Sequence, residues 1–393
     1  MSILEDKTGI VPPHMQKRLN ELHSLEVACE DCDCESGMSP DAYEILAEMA
    51  PSYDMVLPPA PEGDGLGMKQ IALESIRSTL KQWWEQLKAW VIKMRRTIMS
   101  WVRTTLQGID GLVKHADILR KSVEANSNFG GSDVEIKHAN LLAIDGQPVN
   151  DLARQLEELR KINEVGMERF TKQGQTSARD LTNDLTKLDF RQASKAVEGY
   201  VDAFTIICKT KVNPNVSEDL FGMDPREVDE LRMSDTFLGN YCFVSVKAKR
   251  DTHYTNSEIE NLQAVVDYAK RSKIRFYQDG NKETYEGSLP SVDQRTAVSI
   301  IDAAVNLAKS VKASNSQRQA EERLENEFLK KADAAAKVYL EEDADAAQAR
   351  AVRSLFSVVL TMINGLGFHF SDYLISTAKS SLAYVNELNN AEA

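Results

Sequence analysis

Cysteine is scarce and odd in number: five among 393 residues, at positions 29, 32, 34, 208 and 242. In so large a chain that count excludes a disulfide-stapled secreted scaffold. An apolar signal core is missing near the start, where Glu5 and Asp6 stand instead, so no secretory signal is expected. Long hydrophobic runs are missing too. One stretch, 354–371, goes eighteen positions without a charge, but it holds Asn364, His369 and two glycines. It barely reaches spanning length, and its apolar spacing continues past Asp372, so a buried bundle helix is expected there.

Catalytic signatures are also absent. The chain has no GxxxxGK[ST] loop, no GxGxxG after a strand and no GxSxG elbow. Its six histidines (14, 23, 115, 138, 253 and 369) form no HExxH or HxH pair. Gly63–Gly67 (GDGLG) has no strand before it and no GK after it, and reads as a linker. Asp180, Asp184 and Asp189 lack calcium-loop spacing and read as solvated surface. His23, Cys29, Cys32 and Cys34 offer four ligands, the number that tetrahedral zinc needs. They crowd into twelve residues, whereas structural zinc sites pair knuckles a dozen or more residues apart, so free thiols are the expected state. The expectation is a non-enzymatic protein with no cofactor, no metal and no small-molecule substrate.

Positive charge is short overall and concentrated in one place. The net charge is −13, with 27% charged and 42% hydrophobic residues, the balance of a mostly globular chain. Residues 1–65 carry −11, residues 66–126 carry +6 and the remainder −8. A net acidic chain is a poor general ligand for phosphate backbones, so only 66–126 suits nucleic acid.

That basic stretch holds all four tryptophans, Trp83, Trp84, Trp90 and Trp101. At 100° per residue Ile76, Leu80, Trp83, Leu87, Trp90, Met94, Ile98 and Trp101 share one face, widened by Trp84, Val91 and Val102. Arg77, Lys81, Lys88, Arg95, Arg96 and Arg103 fall beside or opposite it, with Ile92 and Met99 as exceptions. The pattern specifies a long basic amphipathic helix over 76–103. Such a face packs against helices of the same chain, or docks in trans on protein, DNA or a membrane interface.

The rest of the chain divides by composition. Residues 1–65, with Pro12-Pro13, Pro51 and the PPAPEGDG run, read as a flexible acidic arm or propeptide. The basic helical region covers 66–126, continuing through Leu106, Ile109, Leu112, Val113, Ile118 and Leu119 to a stop at Asn128–Gly131. Over 127–210 a short β element with an Asp145-Gly146 turn precedes further helices. Residues 211–290 form a small α+β region. Its parts are a strand at 240–249 with Cys242, Val244 and Val246 on one face, a helix capped by Ser257 with Glu260, and a hairpin over 273–286 around Asp279-Gly280. Residues 291–393 are long helices, the first opened by a capping box of Ser291 with Gln294. The fold class is therefore mainly α: a multi-helix bundle with a small, hairpin-containing α+β insertion and an acidic N-terminal arm.

Three features together resemble the internal head proteins of large tailed bacteriophages. They are the basic helix WWEQLKAWVIKMRRTIMSWV after an acidic leader, the small β/helix insertion, and the terminal helices QARAVRSLFSVVLTMINGLGFHFSDYLISTAKSSLAYV. The resemblance runs from about residue 66 to the end. It implies a structural virion protein inside the phage head, assembled in the infected cell's cytoplasm, packed with DNA and capsid proteins and ejected with the DNA in some members. Some members of that family lose an acidic leader to the head-maturation protease, which cuts after Glu two residues beyond a small or aliphatic side chain. Ala60-Pro61-Glu62 before Gly63 fits that rule, as do Leu46-Ala47-Glu48 and Leu19-Asn20-Glu21.

On this reading the interaction helix presents Trp83, Trp84, Lys88, Trp90, Arg95, Arg96, Trp101 and Arg103 to other virion proteins or to packaged DNA, and the terminal helices pack within the fold or with further copies. The alternative is a membrane-active protein that lays 76–103 in the interface and inserts 354–371. A host-directed binding role has no positive feature in the sequence.

Overall fold

The computed structural model describes residues 108–184, 190–250, 255–339 and 367–391, with 355, 358, 359 and 362 between the last two ranges. The arm 1–65 and the basic helix 76–103 lie outside them.

The first described element, α1, is the helix 108–125. It buries Ile109, Leu112, Ala116, Leu119 and Val123, a three-four alternation that makes one continuous seam. After it come a hairpin of β1 (Ala143–Ile144) and β2 (Gln147–Pro148), then α2 (Leu152–Lys161), a π-helical turn at Ile162–Met167 and α3 (Glu168–Asp184). Next are α4 (Phe190–Asp202), the one-turn α5 (Phe204–Ile207), β3 (Thr210–Val212) and α6 (Ser217–Phe221). The order continues with β4 (Val228–Met233), β5 (Tyr241–Ala248), α7 (Glu258–Arg271) and β6 (Lys273–Gln278). Two long helices close the chain, α8 (Gln294–Tyr339) and α9 (Gly367–Asn390).

The protein is mainly α with a small antiparallel insertion. α1, α8 and α9 form a bundle. α8 runs antiparallel to α1: Asp110 pairs with Lys312 at 2.6 Å, Arg120 with Asp302 at 2.8 Å, and the Gln294 side chain donates to the Val123 carbonyl at 2.6 Å. α9 runs parallel to α1, and its Asn389 side chain donates to Ser122 at 2.9 Å. The ion pairs are half-exposed, worth about 0.2–1 kcal/mol each, so the seam holds the bundle and the pairs set its register.

The hairpin turn follows from local chemistry. Asp145 (φ 54°) and Gly146 (φ 70°) are both left-handed, as a two-residue turn of type I′ requires. At Gly174 of α3 a side chain would meet the Met362 carbonyl oxygen at 2.6 Å, so only glycine allows that approach. Leu355, Val358, Val359 and Met362 are all buried, at helical spacing. The described part of 354–371 is thus covered by protein, and among the described residues no helix is long and apolar enough to cross a membrane.

β3 to β6 form a four-stranded antiparallel meander in sequence order. The strand expected at 240–249 forms as β5, which is buried on both faces. Cys242, Val244 and Val246 do share a face. The other is covered by aromatic side chains: Phe243 lies 4.8 Å from Phe276 and 5.0 Å from Phe370, and Tyr241 lies 4.7 Å from Tyr373 (ring centroids). Two expectations are corrected. β6 pairs only with β5, and the residues after Asp279-Gly280 make no return strand; Leu289 instead bridges to Val134. The cap of α8 is Asp293, which accepts from the Thr296 N–H at 2.7 Å. The Ser291 N–H donates to Asp133, and the Gln294 side chain is committed to α1. At α7 the Ser257 cap is as expected, accepting from the Glu260 N–H at 3.3 Å.

On β4, Glu230 is held by Arg232 at 2.9 Å and by Lys211. Hydrogen bonding from Arg232 comes first among the causes that lower its carboxyl to about 2. A carboxylate depressed on folding stabilises above its unfolded value near 4.3, and that gain is lost as pH falls toward 2. Glu230→Gln is expected to flatten stability between about pH 4 and 2, by about 1 kcal/mol. Urea melts at stepped pH check this; an acid limb identical to wild type would refute it.

Candidate functional site

The residues singled out for interaction, Trp83, Trp84, Lys88, Trp90, Arg95, Arg96, Trp101 and Arg103, lie outside the described residues. So do Glu62 and Gly63 of the processing motif, and His23, Cys29, Cys32 and Cys34.

The first described residues are the start of α1. There α1 and α9 leave an open groove of about 400 Å³, with Leu112 and Leu382 at its floor and Gly108, Gly111, His115 and Lys379 among its walls. Nothing lies within 4 Å of where a Cβ would stand on Gly108 or Gly111. Two glycines three apart inside a helical pattern were the sequence signal for this thin-walled region, since each costs helix stability unless something needs the space.

α9 also packs on the sheet. Phe370 and Tyr373 of α9 pack on the sheet with Phe237, Tyr241, Phe243 and Phe276, and the Tyr373 hydroxyl donates to the Leu238 carbonyl at 2.9 Å. Asn240 ties three loops together. Its Nδ2 donates to the Glu283 carbonyl at 2.8 Å, its Oδ1 accepts from the Asp145 N–H at 2.7 Å, and its carbonyl accepts from Asp279 at 2.9 Å. It holds φ 63°, a left-handed conformation that asparagine tolerates better than most residues. Sequence patterning missed this residue because all its partners are distant in the chain. On another face, Asn163 in the π-helical turn donates to Ser310 and Ser314 of α8 at 3.0 and 3.1 Å, and Arg250 pairs with Glu198 of α4.

The reactive groups here are quiet. Burial pushes the thiols of Cys208 and Cys242 up to about 12, which keeps them protonated and poor nucleophiles. Among the described residues no group of three or more His, Cys, Asp or Glu is placed to hold a metal ion. His115 is exposed at the groove. The large exposed apolar side chains among the described residues, Ile118, Val165 and Val216, stand on separate elements and make no contiguous patch.

The sequence model of one protein family, the phiKZ-like phage internal head proteins, matches residues 15–387. No curated protein and no solved structure matches the chain. The match runs from within the acidic leader through the tryptophan-rich basic stretch and the insertion into the last helix, and the chain belongs to the phiKZ-like phage internal head proteins.

Proposed function

We propose that the protein is a non-catalytic structural component of the phage head interior, packed among other virion proteins and the genome, and that helix 76–103 is its contact surface. The observation that carries this reading is the family match over 15–387. In support, the +6 of residues 66–126 stands out in a chain of −13, which suits a local contact with phosphate. Lys88, Arg95, Arg96 and Arg103 are the cations assigned to that contact. The acidic leader is proposed to be removed after Glu62, which uncovers the helix.

The test is duplex-DNA binding by the full chain across a salt series. Affinity is expected to fall linearly on a log–log plot, and the double variant Arg95→Glu with Arg96→Glu is expected to reduce the slope by about two. Binding insensitive to salt, or an unchanged slope, would remove DNA as the partner and leave virion proteins.

A further inference from the structure

The four-stranded sheet has two edges, and only one of them is blunted. β3 is three residues long, ends at Asn213-Pro214, and its Lys211 is paired with Glu230. Short strands and proline are how sheets avoid pairing with further chains. β6 has neither protection. It runs six residues, Lys273–Gln278, without proline, and pairs with β5 in unbroken register from Gln278 opposite Tyr241 to Lys273 opposite Val246. Among the described residues nothing pairs with its far side, since the chain after Gly280 leaves to bridge Leu289 with Val134.

The ladder fixes which backbone groups stand on that side. The Asp279 N–H donates to the Asn240 carbonyl at 2.9 Å, one step beyond the pair of Gln278 with Tyr241. Antiparallel pairing alternates, so Lys273, Arg275, Tyr277 and Asp279 turn their N–H and C=O groups to β5. Ile274, Phe276 and Gln278 turn theirs away from it, and among the described residues those groups meet no partner. The side chains agree. The Phe276 ring packs within 5.3 Å of Phe243, Phe370 and Tyr373 (centroids), yet it stays only half-buried. Ile274 and Gln278, on the same face, are half-buried as well.

The strand is complementary to itself. Two copies laid antiparallel about a two-fold axis at Phe276 pair Phe276 with Phe276, Ile274 with Gln278, Arg275 with Tyr277 and Lys273 with Asp279. Each outward residue brings one donor and one acceptor, so this register satisfies all of them. Lys273 meets a carboxylate. The Arg275 guanidinium, whose own neighbours are the Leu220 carbonyl at 3.0 Å and the Phe221 ring at 5.1 Å, meets a second aromatic ring. The neighbouring registers fail. Centring on Arg275 sets two guanidiniums directly opposite each other, which is destabilising. Centring on Tyr277 asks Ile274 to pair with Gly280, where the chain has already turned: the Asn281 and Lys282 N–H groups both fold back onto Asp279.

We infer that β6 is a self-association edge whose partner is a second copy of this chain. The two β6 strands pair antiparallel at Phe276 and join two four-stranded meanders into one continuous sheet. This goes beyond the contact assigned to 76–103 and does not rest on it, since its test contains no DNA.

The experiment uses the wild-type full chain as an equal mixture of light and isotope-labelled protein. Sedimentation velocity at rising concentration is expected to show a dimer, and zero-length carbodiimide coupling a Lys273–Asp279 link. Within one chain these side chains stand at opposite ends of β6, about 20 Å apart, so that link joins two copies and mixed-isotope pairs are expected. Asp110–Lys312, 2.6 Å apart in one chain, is the control and should join peptides of a single isotope. Ile274→Pro removes an N–H that faces away from β5, which edge strands tolerate. It is expected to weaken the dimer about tenfold or more with circular dichroism unchanged. A chain that stays monomeric at every concentration would overturn the inference. So would a dimer that gives the control link without Lys273–Asp279, or one whose strength a natively folded Ile274→Pro variant retains.

Discussion

Phe370→Ala is expected to cost about 3–5 kcal/mol of unfolding free energy, the largest effect of any single truncation proposed for this fold. Phe370 is 1% exposed and lies within 6.4 Å, centroid to centroid, of Phe237, Phe243, Phe276 and Tyr373. Its ring couples α9 to the sheet, so truncation removes apolar burial and leaves a cavity between two layers that cannot collapse independently. Phe370→Leu keeps much of the volume and should cost less than half as much. Guanidinium melts would read both as shifts in midpoint. A loss below about 1 kcal/mol for Phe370→Ala would mean that the aromatic cluster packs too loosely to be the hinge between helices and sheet.

That cluster also shows which parts of the fold were legible. The Ser257 cap and the Asp145-Gly146 turn could be read because their causes lie within four residues of one another. The seam of α1 through Ile109, Leu112 and Leu119 could be read because burial repeats with the helix period, whereas Ile118 of the same run is exposed. What failed depended on partners far along the chain. The cover on the second face of β5 could not be read, because it comes from Phe370 and Tyr373, more than a hundred residues later. Ser291 and Asp293 both suit an N-cap, and the choice fell to Asp293 because the Ser291 N–H is held by Asp133. The 273–286 hairpin failed because Leu289 found a partner in Val134, which draws the chain away from β6. For the interaction helix the sequence supplies the pattern and the charge.

Removal of the leader after Glu62 is expected to change DNA affinity more than any point substitution in the helix. Residues 1–62 carry thirteen acids and three bases, so their loss takes the net charge from −13 to −3. The cationic segment begins only a few residues later, so in the full chain a dense negative arm competes with phosphate for the same lysines and arginines. At low salt the 63–393 chain is expected to bind duplex DNA on the order of tenfold or more tightly than the full chain, with the gap closing as salt screens the arm. Equal affinities at low salt would show that the arm does not shield the helix. In virions, terminal sequencing should find Gly63 at the start of the mature polypeptide, and Glu62→Gln should block its appearance. An intact N-terminus at residue 1 or 2 would refute processing while leaving the fold, and the pairing of α1 with α8, untouched.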